Sequence, residues 1–186
     1  NLDTLSKTVY QPIILSLTKI LNYLINTFIL YMQDPQTLIK KSYIKSGEIS
    51  DFNQIVEIEN ELKLPKTNLK LFTNLIMNEN IIVLKSYATN QILAFLQFQG
   101  DIEELEIIGL GVKKQYQNNG LGKKILNHII NKGYRKIFLE VSKINTVALE
   151  LYYSLGFKKI SIRKNYFSSK YNIKEDALIL NLINKK

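Results

Sequence analysis

A glycine-containing segment lies between two apolar stretches and has the residue types needed to bind a phosphate. Residues 105–112 (LEIIGLGV) have the composition of a buried strand, and apolar residues recur at helical spacing after position 120. Glycines at such a turn let the backbone approach a ligand closely, because no Cβ stands in the way. The first N–H groups of the helix then point outwards at the positive end of its dipole, which favours an anion. The segment consists of Gln117, Asn118, Asn119, Gly120, Leu121 and Gly122.

A single carboxylate, Glu140, stands inside the apolar stretch IFLEV at residues 137–141. A carboxylate in such a strand is poorly solvated, and it is suited to take a proton from an amine, directly or through water. The same pattern fits a glutamate that faces solvent from an edge strand, or one that pairs with Lys136 or Lys143. The residues alone leave these alternatives open.

Four further segments complete a recognisable order along the chain: NTVALELY at 145–152, LGF at 155–157, IRKNYF at 162–167 and EDA at 175–177. With them the chain resembles the GNAT acetyltransferases, which use acetyl-coenzyme A, and within that superfamily the RimI type, the ribosomal-protein alanine N-acetyltransferases. The resemblance is sharp over about residues 103–182 and looser over 43–100. Residues 1–40 have no counterpart in it.

The resemblance assigns the chemistry of acetyl transfer to two residues. It implies that Glu140 is the general base that deprotonates the acceptor amine. It implies that Tyr152 is the acid that protonates the departing thiolate, since a tyrosine with an ordinary pKa of about 10 stays protonated at pH 7. A core aromatic on the inner face of its helix is the alternative for Tyr152. Transfer is expected to be direct, without an acyl-enzyme.

The resemblance also implies which residues hold the two substrates. The turn at residues 117–122 binds the cofactor's pyrophosphate, and the last residues of the preceding strand present amide groups to the pantetheine arm. Asn145 both caps a helix and contacts the cofactor, although an asparagine before a helix is often a cap alone. The expected cofactor-binding residues outside the turn are Leu110, Gly111, Val112 and Asn145. The expected acceptor-binding residues are Tyr166 and Phe167, for which an ordinary hairpin is the alternative.

The elements that position these residues follow from periodicity. Helices are expected from residue 50 or 51 to 61, 68 to 77, 121 onwards and 145 to 155, with strands at 42–45, 81–87, 92–98, 105–112, 136–141, 158–163 and 177–182. This order fits an α/β (α+β) fold, a GNAT-type three-layer α/β/α sandwich with a mixed, mostly antiparallel sheet. The expected division is an N-terminal amphipathic helical extension, residues 1–40, and an acetyltransferase domain, residues 41–186.

Composition narrows the function further. The 186 residues include no cysteine and one histidine, which excludes disulfides, thiolate chemistry and a histidine metal cluster and suits a reducing cytoplasm. Lys and Arg number 25 against 16 Asp and Glu, so the net charge of +9 favours anionic partners. The lysines are scattered and no RNA-binding motif occurs, so the phosphates of acetyl-CoA are the expected anion, and neither direct nucleic-acid binding nor a metal is expected.

Apolar residues recur at helical spacing from Ile13 to Met32. The expected structure is an amphipathic helix packed on the domain or on a partner. The run is nearly long enough to span a bilayer, but Lys19, Asn22 and Asn26 make spanning costly, so a membrane location is not expected. A targeting segment is the remaining alternative.

The expected function is therefore transfer of acetyl from acetyl-CoA to the N-terminal amine of a protein, with the alanine of a ribosomal protein as the acceptor that the resemblance implies. A GNAT enzyme acting on a small amine or a lysine side chain is the first alternative. A non-catalytic acyl-CoA-binding module is the second.

Overall fold

The structure is a computed structural model that describes the backbone of residues 2–168 and 174–184, with side chains from 14–31, 34–167 and 174–184. The helices are α1 (Leu2–Gln33), α2 (Pro35–Lys40), α3 (Phe52–Leu62), α4 (Leu69–Met77), α5 (Leu121–Ile130) and α6 (Thr146–Ser154). The strands are β1 (Ser42–Ser46), β2 (Ile81–Ser86), β3 (Ile92–Gly100), β4 (Glu104–Val112), β5 (Lys136–Ser142), β6 (Lys158–Ser168) and β7 (Lys174–Ile183).

These strands form one seven-stranded sheet in the order β1-β2-β3-β4-β5-β7-β6. Neighbours are antiparallel except β4 and β5, which run parallel because α5 crosses over between them. The predicted mixed, mostly antiparallel sheet is therefore confirmed.

Two apolar clusters cover the two faces of the sheet. The amphipathic helices α5 and α6 bury residues such as Ile125, Leu126 and Ile129 against one face. Helices α3 and α4 bury Ile58 and Phe72 against the other. The result is the expected three layers, with the core on both sides of β2 and β3.

Local signals explain where most elements begin and end. Asp34 ends α1 and caps α2, where its Oδ2 accepts the Thr37 N–H at 2.8 Å. Gly156 follows α6 with φ +90°, a left-handed conformation that glycine adopts without strain.

Helix α3 begins next to the expected residues 50 and 51, but without a side-chain cap. Asp51 stands at the N-cap position but gives α3 no side-chain cap. Its carboxylate is buried and lies 2.5 Å from the Lys85 ammonium, and it also accepts the Glu48 N–H. A buried lysine without a counter-charge costs more free energy than a helix without one side-chain cap. This explains why the Asp51 carboxylate pairs with Lys85 instead of capping α3.

The N-terminal helix departs furthest from expectation. Every described side chain from Ile14 to Tyr31 is exposed, so this part of α1 does not pack on the sandwich, contrary to one of the two expected arrangements. The same 18 residues have a mean hydropathy of 1.3 and meet the length and composition of a membrane span. The side chains of Ile13 and Met32 lie outside those that the structure describes. In contrast, Leu38 of α2 is buried in the core of the sandwich.

Candidate active site

The site is organised around a gap between the two parallel strands. Pairing of β4 with β5 stops at Ile107 and Leu139, although β4 continues to Val112 and β5 to Ser142. A bulge explains the separation, because the β3–β4 register skips Ile108 at this point. Beyond the bulge, one edge of β4 is left without a strand partner. The predicted residues Leu110, Gly111 and Val112 lie on this edge.

The turn after β4 presents a row of backbone N–H groups. Asn118 and Gly120 both have positive φ, +61° and +74°, and this geometry directs successive N–H groups to one side. Within the described part of the chain, the N–H groups of residues 118–123 have no hydrogen-bond acceptor. An added Cβ on Gly120 would meet no atom within 4 Å, so the space in front of it is open. This row stands at the N-terminus of α5, where the helix dipole favours an anion.

The side chains of the turn hold its shape. The Gln117 amide donates to the Val112 carbonyl at 3.2 Å, and the Asn119 amide donates to the Gln117 carbonyl at 2.8 Å. Asn119 also accepts a hydrogen bond from Gln36 of α2 at 3.1 Å. Lys124, which is near enough in sequence to suggest a phosphate ligand, instead donates to the Ser42 hydroxyl at 3.0 Å.

Helix α6 meets the start of α5 next to the gap. Leu151 packs so close to Gly122 that an added Cβ would lie 3.0 Å from its Cδ2, and Val112 lies on the other side. Asn145 caps α6, where its Oδ1 accepts the Ala148 N–H at 3.1 Å. The capping half of the prediction for Asn145 is confirmed.

Tyr152 follows Leu151 on α6 and is almost wholly buried. Its ring packs edge-on against Phe157 with centroids 5.6 Å apart. Burial in this apolar surrounding raises the pKa of the Tyr152 phenol to about 12, because the phenolate would lose its hydration. No hydrogen-bond partner for its hydroxyl exists among the described residues. The ring therefore packs in the core, and the phenol stays protonated over the whole physiological range.

Glu140 is the first β5 residue beyond the pairing with β4. Its side chain is 18% exposed and lies on the face opposite to buried Leu139 and Val141. The Arg163 guanidinium lies 2.7 Å from Glu140 Oε1, and Arg163 is itself half exposed. Arg163 is therefore the partner of Glu140, rather than Lys136 or Lys143, and the sequence did not reveal it.

Arg163 reaches Glu140 across β7. It pairs in register with Ala177, which is also opposite Ser142 of β5, and the small Ala177 side chain leaves room above the sheet. The only signal for Arg163 in the sequence was its position in the IRKNYF segment. Residues 140 and 163 come together through the strand order, which that segment does not reveal.

The predicted acceptor residues lie beyond an irregularity in β6. Pairing with β7 shifts between Arg163 and Phe167. Asn165 there has φ +52° and donates its N–H to Asp176 at 3.1 Å, and this bond is the main reason that the Asp176 pKa is lowered. Tyr166 is exposed, with its ring 5.1 Å from Phe167 and 4.7 Å from the Arg163 guanidinium.

The structure therefore places most of the residues of the candidate site in two groups. The turn at 117–122, the end of β4 and the start of α6 form one group. Glu140, Arg163 and Tyr166 form the other. His128, the only histidine, lies on the exposed side of α5, where burial of part of its ring lowers its pKa, and it belongs to neither group.

Comparison with known proteins agrees with this arrangement. A family model described as the acetyltransferase (GNAT) family matches residues 50–157. A [ribosomal protein bS18]-alanine N-acetyltransferase from Haemophilus ducreyi is 35% identical over 137 residues, which cover 71% of this chain and 93% of that protein. Its counterpart from Haemophilus influenzae is 30% identical over 143 residues, covering 75% and 97%. The crystal structure of the Escherichia coli ribosomal-protein-S18-alanine N-acetyltransferase has a TM-score of 0.68 at 30% identity, covering 76% of this chain and 93% of that one.

The fold is thus shared with an N-acetyltransferase of known structure. The chain belongs to the GNAT family of acetyltransferases.

Proposed function

We propose that this protein transfers acetyl from acetyl-CoA to the N-terminal amine of a protein, and that the gap between β4 and β5 is where the two substrates meet. One observation supports this most directly. Backbone N–H groups without an acceptor among the described residues lie at one side of the gap, and a carboxylate lies where β5 no longer pairs with β4. A thioester donor with a pyrophosphate and an amine acceptor fit these two sides.

The donor fits the residues of the turn. The free N–H groups at 118–123 and the open space before Gly120 suit a pyrophosphate. The uncovered edge of β4 at residues 110–112 offers amide groups to an extended chain such as pantetheine, in the manner of an added strand. Acetyl-CoA supplies the activated acetyl group. Asn145, at the start of α6, is the remaining cofactor contact in this proposal.

Glu140 accepts the proton of the acceptor ammonium, directly or through a water, because only the neutral amine has a lone pair for attack. The N–C bond forms at the thioester carbonyl as the C–S bond breaks. Arg163 lies 2.7 Å from Oε1 and orients the Glu140 carboxylate. Tyr152 gives its proton to the departing thiolate. Holding both substrates in one site contributes through proximity, with no covalent intermediate on the protein.

The acceptor in this proposal is an N-terminal alanine of a ribosomal protein. Support comes from the names of the matched relatives, which are bS18-alanine N-acetyltransferases, and from identity of 30–35% over most of their length. Tyr166 lies against the Arg163 guanidinium and Phe167 lies against Tyr166, and both would contact the first residues of the peptide. The proposal places the reaction in the cytoplasm, where a chain without cysteine is at no disadvantage.

We also propose that residues 41–186 form the catalytic domain and residues 1–40 an extension. Helix α2 connects the two, since Leu38 enters the core while the described part of α1 stays outside it.

A panel of acceptors tests the proposed function. Free thiol released from acetyl-CoA is measured with a peptide that begins with alanine, the same peptide N-acetylated, a peptide with only a lysine amine, and a small polyamine. Turnover with the free N-terminus alone is expected. Turnover only with the lysine peptide or the polyamine would mean that the acceptor is that kind of amine and not a protein N-terminus. Binding of acetyl-CoA without turnover on any amine would identify a non-catalytic binding module.

A further inference from the structure

Helix α1 exposes more apolar surface than any other part of the described chain. Twelve large apolar side chains between Ile14 and Tyr31 are 45–70% exposed. Such a surface is unfavourable in water and marks a contact with another molecule. The arrangement of the side chains on the helix indicates which molecule that is.

Six of these residues recur at alternating intervals of three and four. This is the a/d spacing of a coiled coil, with a mean period of 3.5 residues that keeps one seam facing a partner helix. The seam residues are Ile14, Leu17, Leu21, Leu24, Phe28 and Tyr31.

The polar side chains of this stretch lie off the seam, together with the apolar Leu15, Tyr23, Ile29 and Leu30, which fall on b and c positions. Lys19, Asn22 and Asn26 all fall on the b and f positions, which face away from a partner helix. Thr18 and Thr27 fall on the flanking e and g positions, and their hydroxyls donate to the helix's own Ile14 and Tyr23 carbonyls at 2.7 and 2.8 Å. The threonines therefore leave no unpaired donor at the seam.

We propose that α1 pairs with α1 of a second copy of this chain along the seam. A lipid bilayer is the other candidate occupant, and the polar residues decide against it. In a span, Lys19, Asn22 and Asn26 would lie in or near the hydrocarbon, which is costly, whereas in a helix pair they point to water. No charged residue on a flanking e or g position opposes self-pairing between Ile14 and Tyr31.

The size of the seam sets the strength of the pair. The 18 residues span about 27 Å of helix, and their ten a, d, e and g positions are fewer than the ~20–30 residues per side of a standard interface. The dimer is therefore expected to dissociate on dilution through the micromolar range.

The test is the mass of the full chain by sedimentation equilibrium between about 1 and 100 μM. The mass should rise from 21.6 kDa towards twice that value with concentration. Leu21→Asp with Leu24→Asp should hold the chain at the monomer mass throughout. Asn22→Asp with Asn26→Asp is the matched control, since it adds the same two charges to the opposite face, and it should still dimerise.

A monomer at every concentration, or equal loss of dimer in both double variants, would overturn the proposal. Vesicles of phosphatidylcholine and phosphatidylglycerol provide the second measurement. Flotation of the wild-type chain should not exceed that of the Leu21→Asp, Leu24→Asp variant. A monomeric wild-type chain that floats with the vesicles, and a variant that does not, would assign the seam to lipid instead. Acetyl transfer is expected to be unchanged in both variants, so this test is independent of the proposed function.

Discussion

The two sides of the β4–β5 gap are built from different parts of the chain. The proposed donor side consists of backbone N–H groups from six consecutive residues, 118–123, whose geometry depends on two left-handed positions. The proposed acceptor side consists of the side chains of Glu140, Arg163 and Tyr166, which come from two strands separated by a third. A site built from backbone groups tolerates many side-chain substitutions but few changes of backbone conformation. A site built from side chains is sensitive to substitution of those side chains and less sensitive to small changes of the backbone.

Loss of the proposed acid should have the largest effect outside Glu140 itself. Tyr152→Phe keeps the ring that packs on Phe157 but removes the proton donor. We expect kcat to fall by about 10²–10³, within the usual range for general acid catalysis, with little change in the affinity for acetyl-CoA. Steady-state kinetics and calorimetric titration measure the two effects. A variant with wild-type kcat would leave Tyr152 as a core aromatic only.

The donor side should respond to a change of backbone. Gly120→Ala places a Cβ in the open space of the turn and strains a residue with φ +74°. We expect the Kd for acetyl-CoA to rise about tenfold, which corresponds to ~1.4 kcal/mol.

Gly133→Ala is the matched control for this change. Gly133 also has a positive φ, +85°, and also faces open space, but it lies at the far end of α5. It should lose similar stability with unchanged affinity for acetyl-CoA. An equal rise in Kd for both variants would mean that only stability had changed.

The acceptor side should respond to a change of charge. Arg163→Gln removes the guanidinium that lies 2.7 Å from Glu140 Oε1, so the carboxylate loses the partner that orients it. A loss of about three- to tenfold in kcat/KM is expected, since the pair is partly exposed. Lys164→Gln removes the same charge one residue away, from a side chain paired with Asp176, and should leave kcat/KM unchanged. Equal values of kcat/KM for the two variants would contradict the role of Arg163.

The smallest expected effect is a titration. The protein has no tryptophan, so tyrosinate absorbance is readily followed, and the difference between wild-type and Tyr152→Phe should titrate at about pH 12. The pKa of the Tyr152 phenol is raised in the folded state above its ordinary value of ~10, so the group contributes about 2–3 kcal/mol to the free energy of unfolding. This contribution is fully present below pH 10 and is lost as the pH rises towards 12. A difference centred at pH 10 would indicate an exposed phenol.

The same contrast explains what the sequence could predict. The donor side is local in sequence, and its glycines, its strand and its amphipathic helix can all be recognised within about 25 residues. The order of the elements and the sheet were predicted for the same reason. The resemblance to a known family identified the residues of the turn and the end of β4.

The acceptor side could not be derived in this way. Arg163 and Glu140 are 23 positions apart and meet only because β7 inserts between β5 and β6. The ion pair of Asp51 could not be foreseen, because its partner, Lys85, comes from a strand 34 positions later. The expectation that α1 packs on the domain or on a partner left its position open, since helical periodicity predicts an apolar face without saying what covers it.

The most direct test of the central claim is Glu140→Gln measured for two properties in one preparation. The substitution keeps the shape of the side chain and removes the base. Turnover of a peptide with a free N-terminal alanine should fall by about 10²–10⁴, while the Kd for acetyl-CoA stays within twofold, because the donor is held by the backbone across the gap. Wild-type turnover in this variant would contradict the assignment of the base. An equally large loss of acetyl-CoA affinity would contradict the separation of the two sides.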